Sequence, residues 1–121
     1  MKKILIVDDE PNIVMALDYA FQKNNYQVFI ARDGQEALDL LQNETPDAII
    51  LDIMMPKVDG YETLRQIKLN ERLAPTKVVM LSAKNKEADI EKGLNIGADA
   101  YITKPFSVKK IVEQIQELLN S

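Results

Sequence analysis

Apolar residues are arranged in two ways along the chain: as short unbroken runs, and as stripes recurring every three or four positions. The runs lie at residues 3–8 (Lys-Ile-Leu-Ile-Val-Asp), 26–31, 47–52 (Asp-Ala-Ile-Ile-Leu-Asp), 77–82 (Lys-Val-Val-Met-Leu-Ser) and 99–104 (Asp-Ala-Tyr-Ile-Thr-Lys). Runs of this length, rich in Ile, Val and Leu, predict strands buried on both faces of a parallel sheet. The stripes fall between them. Ile13, Val14, Leu17 and Phe21 predict a helix to about Asn24, opened by Pro11, which suits a first turn. Ala37, Leu38, Leu40 and Leu41 predict a second, with Asp33 as N-cap and Glu36 three residues later. Leu64, Ile67 and Lys68 carry a third from Asp59-Gly60 to Asn70, with Pro75 as its breaker. Residues 87–96 give a weaker fourth, stopped by Gly97. Val108, Ile111, Val112, Ile115, Leu118 and Leu119 form the clearest stripe and predict a last helix.

Strands alternating with helices as βαβαβαβαβα imply right-handed crossovers and a parallel sheet covered on both faces. For five strands the natural doubly wound order is the flavodoxin-like 2-1-3-4-5. The expected fold class is therefore α/β, a flavodoxin-like (βα)5 three-layer sandwich. The 121 residues contain no linker, no low-complexity stretch and no repeat beyond the βα unit, so residues 1–121 read as one domain. The last stripe ends at Leu119, and no output domain is expected within these residues.

Composition narrows the chemistry. The chain has no cysteine and no histidine, which excludes disulfides, zinc thiolates, Cys nucleophiles, Ser-His-Asp schemes and His metal ligands. A net charge of −4 argues against direct nucleic-acid contact. No apolar stretch is long enough to span a bilayer, and Asp8, Asp9 and Glu10 interrupt the N-terminal run before a signal-peptide core is complete. A cytoplasmic protein with no membrane attachment is expected.

What remains is a set of oxygen groups and a lysine. Asp8 and Asp9 follow the first strand, Asp52 ends the third, Ser82 the fourth and Lys104 the fifth. In order 2-1-3-4-5 these strands are neighbours roughly 5 Å apart, so their ends meet on one edge of the sheet. That carboxyl edge is where open α/β sheets bind ligands. Three carboxylates so close stay ionised only with cationic help. Lys104 supplies one charge. A hard divalent cation, Mg²⁺ with Mn²⁺ as an alternative, suits a small set of oxygen donors. Such a site suits phosphoryl transfer, with a carboxylate as nucleophile giving an aspartyl-phosphate.

Four motifs carry a resemblance. Val7-Asp-Asp-Glu10, Leu51-Asp-Ile-Met-Met-Pro56 with Asp59-Gly60, Leu81-Ser-Ala83, and Gly97-Ala-Asp-Ala-Tyr-Ile-Thr-Lys-Pro-Phe106 resemble the receiver domain of two-component response regulators, chemotaxis regulators included. The likeness covers essentially the whole chain. It implies that Asp52 is the phosphoacceptor, and that Asp8, Asp9 and Asp52 bind Mg²⁺ with the backbone carbonyl of Met54. It implies that Ser82 is the switch hydroxyl, that Lys104 pairs with the phosphoryl group, and that Tyr101 is an aromatic switch turning inward once Ser82 moves. It also implies a cis Lys104-Pro105 peptide. The implied partners are a sensor histidine kinase or phosphotransfer protein, and a downstream effector or fused output domain meeting the face of the fourth helix, fifth strand and last helix. Receivers attached to winged-helix DNA-binding domains commonly carry a second acidic residue where this chain has Ala100, and the last helix here begins Val108-Lys-Lys110. A monomer or weak dimer is expected.

Other functions meet obstacles in the sequence. An aspartyl-nucleophile phosphatase of the haloacid-dehalogenase type needs a second Asp two residues after the nucleophile, where this chain has Met54. A nucleotide- or flavin-binding module of the same fold would lack any Gly-rich or Walker sequence to cradle phosphates. Met54 and Met55, just before Pro56, read as exposed residues beside the site.

Overall fold

The structure, a computed structural model, describes residues 1–54 and 58–120. Among them, strands and helices alternate: β1 (Lys3–Val7), α1 (Pro11–Lys23), β2 (Gln27–Ala31), α2 (Gly34–Leu40), β3 (Ala48–Asp52), α3 (Gly60–Leu69), β4 (Lys77–Ser82), α4 (Glu87–Ile96), β5 (Ala100–Thr103) and α5 (Val108–Asn120). The strands form one sheet in the order β2-β1-β3-β4-β5, every pair parallel. This is the flavodoxin-like arrangement expected from the alternation. Pro56, read from sequence with Gly60 as marking the exit from the third strand, lies outside the described residues, as do Met55 and the end of the chain at Ser121.

The two-sided burial of β1, β3 and β4 explains their uninterrupted apolar runs, while β2 and β5, at the edges, are only partly buried. Leu5, Val7, Ile49, Leu51, Val78 and Met80 face α2, α3 and the end of α4, where Ala37, Leu41, Leu64, Ile67 and Ala98 close one core. Ile4, Ile6, Ile50, Val79 and Leu81 face the other way, onto Leu17 and Phe21 of α1 and Ile111, Val112 and Ile115 of α5. Every residue of β3 is buried, as its central place requires. None of the described helices is long and apolar enough to cross a membrane.

Local signals set most boundaries. The Asp33 carboxylate accepts the Glu36 N–H at 2.8 Å and caps α2, and Asp59 does the same for Glu62 at 2.9 Å on α3. Gly97 caps α4 with a φ of 132°. Three readings shift. Tyr26 precedes β2 rather than opening it, and its ring stands edge-on to Phe21 at 5.1 Å. Asp47 and Asp99 precede their strands, because each carboxylate takes the place of a ladder carbonyl: Asp47 accepts the Lys3 N–H and Asp99 the Val78 N–H, both at 2.8 Å. Pro75 is not what ends α3. The helix stops at Leu69, where Asn70 adopts extended geometry, and Pro75 lies in the turns beyond.

Candidate functional site

The parallel register brings four strand ends level. Val7 pairs with Leu51, Asp52 with Leu81, and Ser82 with Thr103. Asp8 therefore emerges beside Asp52, and the Lys104 N–H continues the ladder by donating to the Ser82 carbonyl at 2.8 Å. The peptide between Lys104 and Pro105 is cis, as the resemblance implies. Behind Asp52 the chain turns back so closely that a Cβ on Gly60 would stand 2.5 Å from the Asp52 carbonyl oxygen, so the contact admits only glycine without a backbone shift.

Asp8 is fully buried, and Asp52 is 2% exposed. Asp8 Oδ1 accepts the Glu10 N–H at 2.9 Å, while its Oδ2 has no hydrogen-bond partner among the described residues. Among the described residues, Asp52 Oδ1 accepts one long bond, 3.3 Å, from the Met54 N–H. Lys104 Nζ lies 3.5 Å from Asp52 Oδ2 and 3.6 Å from Asp8 Oδ2, and donates to Glu10 Oε1 at 2.9 Å. Among the described residues, one ammonium thus serves three carboxylates. Burial, and then the Asp8 charge, push the Asp52 carboxyl up to about 6, against the pull of Lys104 and the Met54 N–H. Burial likewise raises Asp8, opposed by the Glu10 N–H and Lys104. Burial pulls the Lys104 ammonium down, but Glu10, Asp52 and Asp8 outweigh it and hold the group above its ordinary pKa.

Asp8, Glu10 and Asp52 offer carboxylate oxygens that all lie within 4.8 Å of one another. Hard oxygen donors, two of them desolvated and one without a hydrogen bond, fit a small divalent cation. Asp9 is not in this group and its side chain is exposed. Glu10, given no role in the sequence reading, stands in its place. The available signal was a third consecutive acid with a side chain long enough to reach across to Lys104. Met54 is exposed and reaches Asp52 through its N–H. Met55 falls outside the described residues.

Ser82 is fully buried, and its Oγ accepts the Lys84 N–H at 3.0 Å. The Tyr101 hydroxyl donates to the carbonyl of the same residue at 2.8 Å. Both switch candidates therefore hold opposite sides of Lys84, in the loop between β4 and α4. The geometry gathers Asp8, Asp52, Lys104 and Glu10 around one point, with Ser82 on the next strand and Tyr101 one strand further out.

The comparisons agree with this arrangement. The family model for the response regulator receiver domain matches residues 4–116. The alkaline phosphatase synthesis transcriptional regulatory protein PhoP of Bacillus subtilis (strain 168) is 44% identical over 118 residues, covering 98% of this chain and 48% of its own length. The chain thus spans about half the length of that curated relative. The receiver domain of a Francisella response regulator is 32% identical and superposes with a TM-score of 0.92, over 99% of this chain and 98% of that one. The Mn²⁺-bound form of the response regulator Rcp1 is 28% identical, with a TM-score of 0.83 over 98% and 91% of the two chains. With its sheet order, its acidic strand ends and its match along nearly the full length, the chain belongs to the receiver domains of two-component response regulators and acts as a signalling switch.

Proposed function

We propose that Asp52 accepts the phosphoryl group, and that residues 1–121 form one receiver domain whose donor is a sensor histidine kinase, a phosphotransfer protein or a small phosphodonor. One observation carries this reading: the Asp52 carboxylate is buried at the end of the central strand, beside an equally buried Asp8, and among the described residues accepts one long hydrogen bond. A carboxylate with few hydrogen bonds keeps its lone pairs for attack. One Asp52 oxygen forms a bond to phosphorus, and the bond from phosphorus to the donor breaks. The donor leaves with the electron pair and takes a proton from solvent. Lys104, already within 3.5 Å of Asp52, binds an oxygen of the arriving phosphoryl group and offsets its charge.

Asp8, Asp9 and Asp52, with the Met54 carbonyl, would hold Mg²⁺ or Mn²⁺, and the position of Glu10 adds it to the candidate ligands. When bound, the cation neutralises charge on the phosphoryl oxygens. The chain's own part is to hold the acids in place and keep Asp52 out of bulk water. Self-catalysed phosphorylation, rather than turnover of an external substrate, is the only chemistry required.

The switch follows from Lys84. A phosphoryl group at Asp52 gives Ser82 Oγ a stronger partner than the Lys84 N–H. Moving that hydroxyl frees one side of the loop that Tyr101 holds from the other, and the face of α4, β5 and α5 shifts in population. That face would meet a downstream effector or a fused output domain, in the cytoplasm, with the domain a monomer or weak dimer. Intact mass after incubation with acetyl phosphate and Mg²⁺ tests the reading. One added phosphoryl group per chain, absent in Asp52→Asn, is the expected result. Labelling of that variant at another residue would overturn it.

A further inference from the structure

Tyr101 rests in a place that two other residues have shaped. A Cβ built on Gly93 of α4 would stand 3.2 Å from Tyr101 Cδ2 and 2.9 Å from Met80 Sδ. The missing side chain therefore opens a slot between α4 and β4, and the Tyr101 ring, cross-strand neighbour of Met80, lies along it. The second residue is Tyr61 of α3, only 5% exposed. Its hydroxyl donates to the Asp89 carbonyl in the first turn of α4 at 3.1 Å. Its ring lies beneath Lys92 of α4, whose Nζ is 4.3 Å from the ring centre. Burial, followed by the nearby Tyr101 hydroxyl, raises the Tyr61 hydroxyl to about 12. Tyr61 thus ties α3 to α4 at the level where Tyr101 ties β5 to the loop leading into α4.

We propose that Gly93 and Tyr61 together form a seat that holds Tyr101 inward against α4 before any phosphoryl group arrives, with Gly93 giving room for the ring and Tyr61 fixing the helix that walls it. The inference rests on the reading of Tyr101 as the aromatic switch only for its consequence. The seat itself is read from the packing of Gly93, Met80 and Tyr61 around Tyr101 and α4. Two things follow from it. The inward position of Tyr101 is populated at rest, so phosphorylation has a smaller shift left to produce. Residues remote from Asp52 set the size of that shift, and Tyr61 and Gly93 are positioning residues rather than catalytic ones.

The test uses the whole chain and two variants. Gly93→Ala fills the slot, and Tyr61→Phe removes only a hydroxyl while keeping the ring under Lys92. In the unloaded wild type, NMR should show contacts between the Tyr101 ring and the Met80 methyl group. Gly93→Ala should lose most of these contacts. Tyr61→Phe should raise amide exchange at residues 87–92 about tenfold or more while leaving amides in β1 unchanged. Placing Gly93→Ala in a Tyr101→Ala background separates a seat from a general packing role. Its effect on the urea midpoint should fall to less than half of that in the wild type, because the ring it clashes with is gone. Phosphate incorporation from acetyl phosphate should stay within twofold of wild type in both variants, and it independently reports on the site around Asp52. A wild type that takes up no phosphate would sink the proposed function while the ring contacts still decide the seat. Tyr101 contacts unchanged by Gly93→Ala, or an equal Gly93→Ala effect with and without the Tyr101 ring, would overturn the seat.

Discussion

Replacing Asp52 with asparagine should make the metal-free domain more stable, although it removes the proposed phosphoacceptor. The Asp52 carboxyl stands at about 6 in the folded chain against 3.8 for an ordinary aspartate, with burial as the leading cause and Asp8 next. A folded-state pKa raised above the unfolded one means that the native protein holds the proton more tightly. The ionised group then opposes folding. Below about pH 4 the penalty is absent in both states. It grows as pH rises from about 4 to 6 and is complete at pH 7. The difference corresponds to about 3 kcal/mol at pH 7, or roughly 10 °C in melting temperature for a domain of this size. Asparagine keeps the shape without the charge, and its amide can donate to the orphaned Asp8 Oδ2. Urea unfolding of both proteins from pH 4 to 8, in EDTA, reads the difference directly. The two curves should meet near pH 4 and diverge to about 3 kcal/mol by pH 7, with the wild type lower. Mg²⁺ at a hundredfold excess over its Kd should return about 2.7 kcal/mol to the wild type and much less to the variant. A variant less stable than wild type at pH 7, or two parallel curves, would show that Lys104 already balances the Asp52 charge and that the strained acidic site is wrongly described.

Lys104→Met leaves three carboxylates without their cation. It should raise the Asp52 pKa further and cost on the order of 2 kcal/mol at pH 7, as ¹³C carboxyl titration and urea midpoints would show. Gly60→Ala forces backbone movement at Asp52 and should cost about 1–3 kcal/mol while slowing phosphate uptake, since the Cβ meets backbone rather than a flexible side chain. Asp9→Ala and Glu10→Gln, compared by Mn²⁺ titration, should each weaken metal binding, and the larger loss identifies the residue that acts as ligand. Phe21→Ala, fully buried between α1 and the sheet, should cost about 3–5 kcal/mol in urea with no change in metal affinity, because it lies in a core remote from the acidic edge.

The sheet was legible in the sequence because strands buried on both sides admit few polar residues. Their ends are marked where acids, a serine and a lysine replace the apolar run. The positions of Asp8, Asp52, Ser82 and Lys104 followed from that alone. What escaped depends on reach and on neighbours far away in the chain. Glu10 enters the site through a long side chain that finds Lys104, and its place as the third consecutive acid is the one local sign of this. Tyr101 was placed on its strand, but the slot it occupies is made by the absence of a side chain on α4. The end of α3 was credited to the stronger local signal at Pro75. In the folded chain Arg72, just after that helix, donates to the Leu41 and Glu44 carbonyls and Thr45 Oγ1, ties this turn to the region after α2, and so settles it by tertiary contact.

The bond between Glu10 and Lys104 joins positions 94 apart in sequence. During synthesis the acids therefore leave the ribosome long before the cation that tempers them. A nascent chain that has released residues 1–75 carries Asp8, Asp9, Glu10 and Asp52 but neither Ser82 nor Lys104. Its first three strands can pair, yet they bring buried Asp8 and Asp52 together without Lys104. The acidic edge thus disfavours early closure of the partial sheet, and β4 and β5 must join before the centre is stable. Competence to act as a switch then arrives in one step with completion of the fold.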